Sequence, residues 1–292
     1  MTTRSEIRQR WRHHKVAVNG VTLHYVEAGS GPLVLLLHGF PDFWYTWTHQ
    51  IAALSAAGFH VVAPDLRGYN VSDKPRGVSS YSIETLAGDV AALIEHFGRG
   101  PAMVAGHDWG GVIAWYLPRL RPDLVERLVI LNVPHPLAVL RAMRSPRQIA
   151  RFWYQFFFQI PLLPEKLLLA KDCRRLRMAM TRLAVSAEAF TDADLERMAR
   201  AWKRPYAMTA ALNYYRALYR RSPFGITGGV PVDSRVLLIW GERERVFIPS
   251  SVEATIRLVD NLEIVRIEGA GHFVHLDRPD EVSEAMIRFL RE

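Results

Sequence analysis

The chain has 292 residues, 49% apolar and 23% charged, with 37 basic against 29 acidic side chains for a net charge of +8. That composition suits one globular α/β core carrying a long insertion and excludes disorder, collagen and coiled coil. Cys173 stands alone, Met1 to Arg12 is polar and basic with no apolar signal core, and the most lipid-like stretch, Phe152 to Ala170, is broken by Gln155, Gln159, Pro161, Pro164, Glu165 and Lys166. A reducing, cytoplasmic setting and no membrane span are therefore expected.

Lys15 to Val18 and Val21 to Val26 flank Asn19-Gly20, the strongest two-residue hairpin signal, and predict an antiparallel edge. Short apolar runs then alternate with helical patterns: Leu33 to Leu37 and Trp47 to Ala57, His60 to Ala63 and Ser82 to Phe97, Ala102 to Ala105 and Val112 to Leu120, then Arg127 to Leu131. Such alternation predicts βαβ units and a mainly parallel sheet. The best-marked helix has Ser82 as its cap, Ile83, Leu86, Val90, Leu93, Ile94 and Phe97 on one face, and Gly98 past its end. From about Pro134 the alternation stops, and an aromatic, Met- and Arg-rich helical stretch runs to Gly228-Gly229. Strands return at Arg235 to Trp240 and Leu262 to Ile267, and Glu281 to Leu290 predicts a closing helix. The core is thus expected at residues 1–134 and 229–292, with a helical cap inserted at 135–228. Residues 141–228 hold 17 basic and 6 acidic side chains, a net +11. With no nucleic-acid motif beside it, this block reads as a solvated face rather than a nucleic-acid or anionic-membrane contact.

After Ala102 to Ala105 comes Gly106-His107-Asp108-Trp109-Gly110-Gly111, a Gly-x-nucleophile-x-Gly elbow with aspartate as nucleophile. The turn needs glycines because neighbouring backbone comes too close for a Cβ. Leu33 to Leu37 ends in His38-Gly39-Phe40-Pro41, whose loop supplies one backbone N–H of an oxyanion hole from Phe40, while Trp109 supplies the other. Gly241-Glu242-Arg243-Glu244 and Gly269-Ala270-Gly271-His272 follow the last two strands, which completes the chain order nucleophile, acid, histidine of an α/β-hydrolase. A carboxylate is a poor choice for attack on acyl carbon, but it displaces leaving groups from alkyl carbon to make an ester that water then hydrolyses. Epoxides and halogenated alkanes are the two substrate classes with suitable carbons. An epoxide oxygen needs an acid, typically a phenol; a halide needs only N–H donors.

Together with Asp65-Leu66-Arg67-Gly68-Tyr69, Phe152 to Gln159 and Leu212-Asn213-Tyr214-Tyr215-Arg216, these motifs resemble the soluble epoxide hydrolase family of the α/β-hydrolase fold over nearly the whole chain. The resemblance implies a cofactor-free hydrolysis of an epoxide to a vicinal diol; the aromatic cap run argues for an apolar or aryl-bearing epoxide, and His272-x-x-His275 lacks the third ligand that a metal site needs. In that hydrolysis Asp108 opens the ring, Tyr154 and Tyr215 hold and protonate the oxygen, and His272 with an acid activates water. Tyr215 is preferred over Tyr214 because the family's acid directly precedes the arginine. His38, Trp153, Phe157 and Tyr214 are expected at the substrate pocket. The family pattern Gly-Glu-x-Asp reads here Gly241-Glu242-Arg243-Glu244, so two carboxylates compete as the acid, with Glu244 chosen on register. A dehalogenase acting on haloalkanes or haloacids with the same aspartate, and a catalytically lapsed ligand- or partner-binding relative, stay open, as do the physiological substrate and the oligomeric state.

Overall fold

In the computed structural model, which describes residues 11–98, 100–221 and 234–292, Asn19 and Gly20 both take positive φ, 46° and 76°. That turn closes β1 (Arg12–Val18) antiparallel onto β2 (Val21–Ala28), and β2 pairs antiparallel with β4 (His60–Pro64). The remaining strands, β3 (Leu33–Leu37), β5 (Ala102–His107), β6 (Val125–Leu131), β7 (Arg235–Gly241) and β8 (Leu262–Ile267), run parallel, giving an eight-stranded sheet in the order β1-β2-β4-β3-β5-β6-β7-β8. Strands β3, β4 and β5 are buried along their whole length, as continuous apolar runs between helical layers must be.

Helices α1 (Thr48–Ala56), α2 (Ile83–Phe97) and α3 (Trp109–Leu120) follow β3, β4 and β5. Helix α2 begins where Ser82 Oγ accepts from Thr85 N–H and ends where Gly98 turns left-handed, as its sequence predicts. Among the described residues, six helices lie between β6 and β7: α4 (Pro136–Ala142), α5 (Pro146–Arg151), α6 (Trp153–Phe157), α7 (Leu163–Leu183, kinked at 170–173), α8 (Asp192–Trp202) and α9 (Ala207–Arg221). The chain closes with α10 (Pro249–Ile256), α11 (Val274–Asp277) and α12 (Pro279–Arg291). The first expected domain boundary falls in the connection from β6 to α4, and the second, at 228–229, lies outside the described residues.

The β6–β7 helices sit over the carboxyl ends of the strands, where buried hydrogen bonds fasten them. Tyr45 Oη donates to Asp194 (2.6 Å), Tyr214 Oη to the Arg67 carbonyl (2.6 Å), and the Trp202 indole N–H to the Pro41 carbonyl. Loops at the strand ends are therefore enclosed rather than open to water, which raises the strength of every charge interaction among them.

Candidate active site

Asp108 ends β5 with φ 50° and ψ −121°, outside the regions that ordinary residues occupy, at a cost of roughly 1–3 kcal/mol. The turn is this sharp because the flanking backbone closes in: a Cβ on Gly110 would lie 2.0 Å from the Leu37 carbonyl oxygen, and one on Gly106 2.3 Å from that of Gly110. The carboxylate is consequently held above the sheet edge. Phe40 N–H donates to Asp108 Oδ1 at 2.7 Å, and His272 Nε2 stands 3.6 Å from Oδ2, an ion-pair separation. Trp109 opens α3, so its N–H is one of the first-turn donors that have no acceptor within the helix.

On its other side His272 Nδ1 meets Glu244 Oε2 at 2.8 Å. Glu244 is buried and also accepts from Val246 N–H and, at 2.8 Å, from Asn132 Nδ2. Glu242 is exposed, and Arg245 donates to the Arg182 carbonyl instead of pairing with either glutamate. The longer acid thus reaches the histidine from the register position that Gly-Glu-x-Asp would give an aspartate. Asn132 belongs to the site as well. It adopts φ 54° at the end of β6, donates to Gly271 O (2.7 Å) as well as to Glu244, and accepts from Gly241 N–H (2.8 Å). One side chain therefore ties β6, the end of β7 and the loop before His272 together. Asparagine tolerates left-handed backbone, and the carboxyl end of a strand is where such a site residue is sought in this topology.

Burial alone would strip the proton from His272, but the charge of Glu244 and the contacts with both carboxylates hold it up to about 10. Burial pushes Asp108 and Glu244 up, and in each the facing imidazolium more than reverses the effect, leaving the carboxyls below their usual range. At neutral pH the resting site is an imidazolium between two carboxylates.

Above Asp108 lies a cavity of about 100 Å³. Tyr154 from α6 and Tyr215 from α9 face it together, their rings 5.9 Å apart, and Tyr215 packs edge-on against Phe40 and Trp109. Burial first, and then the Asp108 charge, raise both phenols above their usual range, so they carry their protons at any working pH. Their spacing is set by Arg216, buried next to Tyr215. Its guanidinium takes Glu165 through two contacts (2.8 and 3.2 Å) and donates to the carbonyls of Phe158 and Ile160, fastening α9 to the turn after α6.

Four residues expected at the pocket do not line this cavity. Trp153 points outward and is 64% exposed. Phe157 is half-buried and packs at a tilt between Trp153 and Phe158. His38 is fully buried as a scaffold group: Nε2 accepts from Leu66 N–H and Nδ1 meets Gly39 O, each at 3.0 Å. Tyr214 spends its hydroxyl on the Arg67 carbonyl. The cavity wall comes instead from Val139, Leu140, Met143, Phe152, Leu218 and Phe247. Tyr214→Phe should accordingly lower stability by about 1 kcal/mol in a denaturant titration while turnover stays near wild type. A large loss of turnover with unchanged stability would put Tyr214, not Tyr215, at the chemistry.

Comparison with known proteins agrees with this architecture. The model of the alpha/beta hydrolase fold family matches residues 32–279. The chain is 40% identical over 280 residues to the AB hydrolase superfamily protein YfhM of Bacillus subtilis (94% of this chain, 96% of that one). It is 33% identical over 312 residues to epoxide hydrolase A of Mycobacterium tuberculosis (94% and 96%). Among solved structures, a phenylalanine-to-alanine mutant of an epoxide hydrolase from Bacillus megaterium, crystallised with its product (R)-3-[1]naphthyloxy-propane-1,2-diol, superposes with a TM-score of 0.87 at 33% identity, over 96% of this chain and 100% of that one.

Proposed function

This chain belongs to the epoxide hydrolase family of the α/β-hydrolase fold and is a hydrolase acting on epoxides, and we propose that it works through a covalent ester on Asp108. The observation that carries this reading is that Asp108 and the phenols of Tyr154 and Tyr215 face one cavity. Oδ1 is occupied by Phe40 N–H, which leaves Oδ2 to attack an epoxide carbon as the C–O bond opens. Tyr154 and Tyr215 donate to the departing oxygen, and one of them passes it a proton. The helices α4–α9 serve in this reading as the cap.

Ester formation cancels the Asp108 charge. His272 then loses one of the two anions that held its proton, returns that proton through solvent to the phenolate left by ring opening, and becomes the base that takes a proton from water, while Glu244 keeps its Nδ1 side oriented. Water adds to the ester carbon of Asp108. The oxyanion that forms on Oδ1 is already beside the Phe40 N–H, with Trp109 N–H as the second donor. Collapse breaks the ester C–O bond, His272 hands its proton to the departing alkoxide to release the diol, and the acid proton left on Asp108 passes to His272, which restores the carboxylate and the imidazolium. The cycle uses only protein groups and water.

An apolar or aryl-bearing epoxide is the proposed substrate. The wall of Val139, Leu140, Met143, Phe152, Leu218 and Phe247 offers an apolar substituent little but hydrocarbon, and the Bacillus megaterium neighbour holds a naphthyl product. The decisive experiment is a single turnover in oxygen-18 water, followed by mass spectrometry of the peptide containing Asp108. Label is expected in Asp108, because water attacks the aspartate carbon; label in the first-turnover diol with none in the enzyme would overturn the ester route. Free halide released from haloalkanes, with no diol from aryl epoxides, would move the chemistry to dehalogenation.

Tyr154→Phe and Tyr215→Phe should each slow ring opening by roughly 10 to 100-fold, since one phenol partly covers for the other, and the double variant should be far slower. Rapid-mixing measurement of adduct formation checks this. Equal rates in both single variants and the double variant would remove the phenols from the mechanism.

A further inference from the structure

Large apolar side chains are exposed in one short stretch of the chain to an unusual degree. Ile149, Trp153, Phe156, Ile160, Leu162 and Leu163 all stand out into solvent, Leu162 at 65%. Ile149 stands on α5, Trp153 and Phe156 on α6, and Ile160 and Leu162 in the turn that leads to Leu163 at the start of α7. The core side of α6 is taken by Tyr154 and Gln155, which line the cavity above Asp108, so Trp153 and Phe156 are turned outward. Soluble chains rarely leave such a cluster uncovered without a use for it.

The charges around it share one sign. No acidic residue occurs between Glu126 and Glu165. Glu165 is committed to Arg216, and Asp172 to Arg177 and Lys203. Arg144, Arg147 and Lys166 are exposed and join no ion pair among the described residues. A second copy of this chain would bring like charge against like across the same face. An anionic lipid surface brings the opposite charge together with an apolar interior for Trp153 and Leu162. No helix among the described residues is long and apolar enough to cross a membrane, so contact would be peripheral. We propose that the outer face of α5, α6 and the start of α7 docks on anionic phospholipid bilayers, with the apolar side chains entering the headgroup boundary and the basic ones meeting phosphates. This revises the solvated face expected from the sequence, and it stands whichever substrate the site takes.

The test is co-sedimentation of the full chain with vesicles of phosphatidylcholine alone or of phosphatidylcholine and phosphatidylglycerol in equal parts, at about 150 mM salt. Partitioning is expected to be about tenfold or more stronger on the anionic vesicles. Ile149→Ser combined with Leu162→Asn should weaken it by about tenfold; asparagine suits the left-handed φ of 61° at Leu162. Arg147→Glu combined with Lys166→Glu should weaken it as much, and both variants should keep wild-type circular dichroism and wild-type hydrolysis of a water-soluble epoxide. Absence of binding to either vesicle, binding that ignores both double variants, or a dimer in sedimentation velocity that Ile149→Ser with Leu162→Asn dissolves would overturn the proposal.

Discussion

Asp108→Asn is expected to lower turnover by about 10⁴-fold or more while the chain stays folded. The amide keeps the shape of the carboxylate, can still accept the Phe40 N–H, and belongs to a residue type that tolerates φ near 50°. What it lacks is the anion that attacks carbon, so no covalent adduct should form with any epoxide. The same change removes one of the two charges that raise the His272 pKa to about 10. A histidine whose folded pKa exceeds its unfolded value stabilises the fold fully below the unfolded value, about 6.5, and that contribution disappears as pH rises to the folded value. Wild type should therefore lose stability between pH 6.5 and about 10, and the variant should lose less over that window. Denaturant midpoints across pH measure this directly. Residual turnover within a hundredfold of wild type would show that a different group makes the first bond.

Glu244→Gln should separate the two half-reactions. Ring opening needs Asp108 and the phenols, none of which touches Glu244, so adduct formation stays fast. Hydrolysis needs His272 with its proton on Nδ1 and a neighbour to steady the charged form that develops, and a neutral amide does neither well. Deacylation is expected to slow by roughly a thousandfold. The ester should accumulate on Asp108, visible in the intact protein as a mass increase equal to that of the epoxide. Glu242→Gln should show nothing of the kind, because that carboxylate is exposed to solvent. Accumulation in Glu242→Gln alone would exchange the roles of the two glutamates.

The parts of the molecule that could be read in advance are those where local chemistry allows one solution. Asn19-Gly20 supports a tight hairpin and little else. Ser82 and Gly98 bracket a helix whose apolar face repeats cleanly, and the glycines around Asp108 leave the elbow as the turn that fits. The aromatic run Phe152 to Phe158 was ambiguous for the opposite reason. When nearly every position can pack, periodicity no longer says which side faces inward, and successive residues on a helix point about 100° apart. Tyr154 and Trp153 are neighbours in sequence and lie on opposite sides of α6, one in the cavity and one in water. Tyr214 and Tyr215 divide in the same way between scaffold and cavity. The part that Asn132 plays is not legible locally, because an asparagine after a strand looks like any turn residue; its three side-chain contacts join groups more than a hundred positions apart in the chain.

The buried clasp of Arg216 on Glu165 and on the carbonyls of Phe158 and Ile160 joins the two segments that bear the phenols. Val139, Leu140 and Met143 belong to α4 and the turn after it, which take no part in that clasp. Acidity and accommodation are thus assigned to separate pieces of chain. Substitutions on the α4 side can widen or narrow the room for a substituent without disturbing the spacing of the proton donors. A chain built this way can be diverted to bulkier or slimmer epoxides by changing one wall, and a saturation library confined to those three positions should alter which epoxides are accepted far more than it alters the rate of ring opening for those that fit.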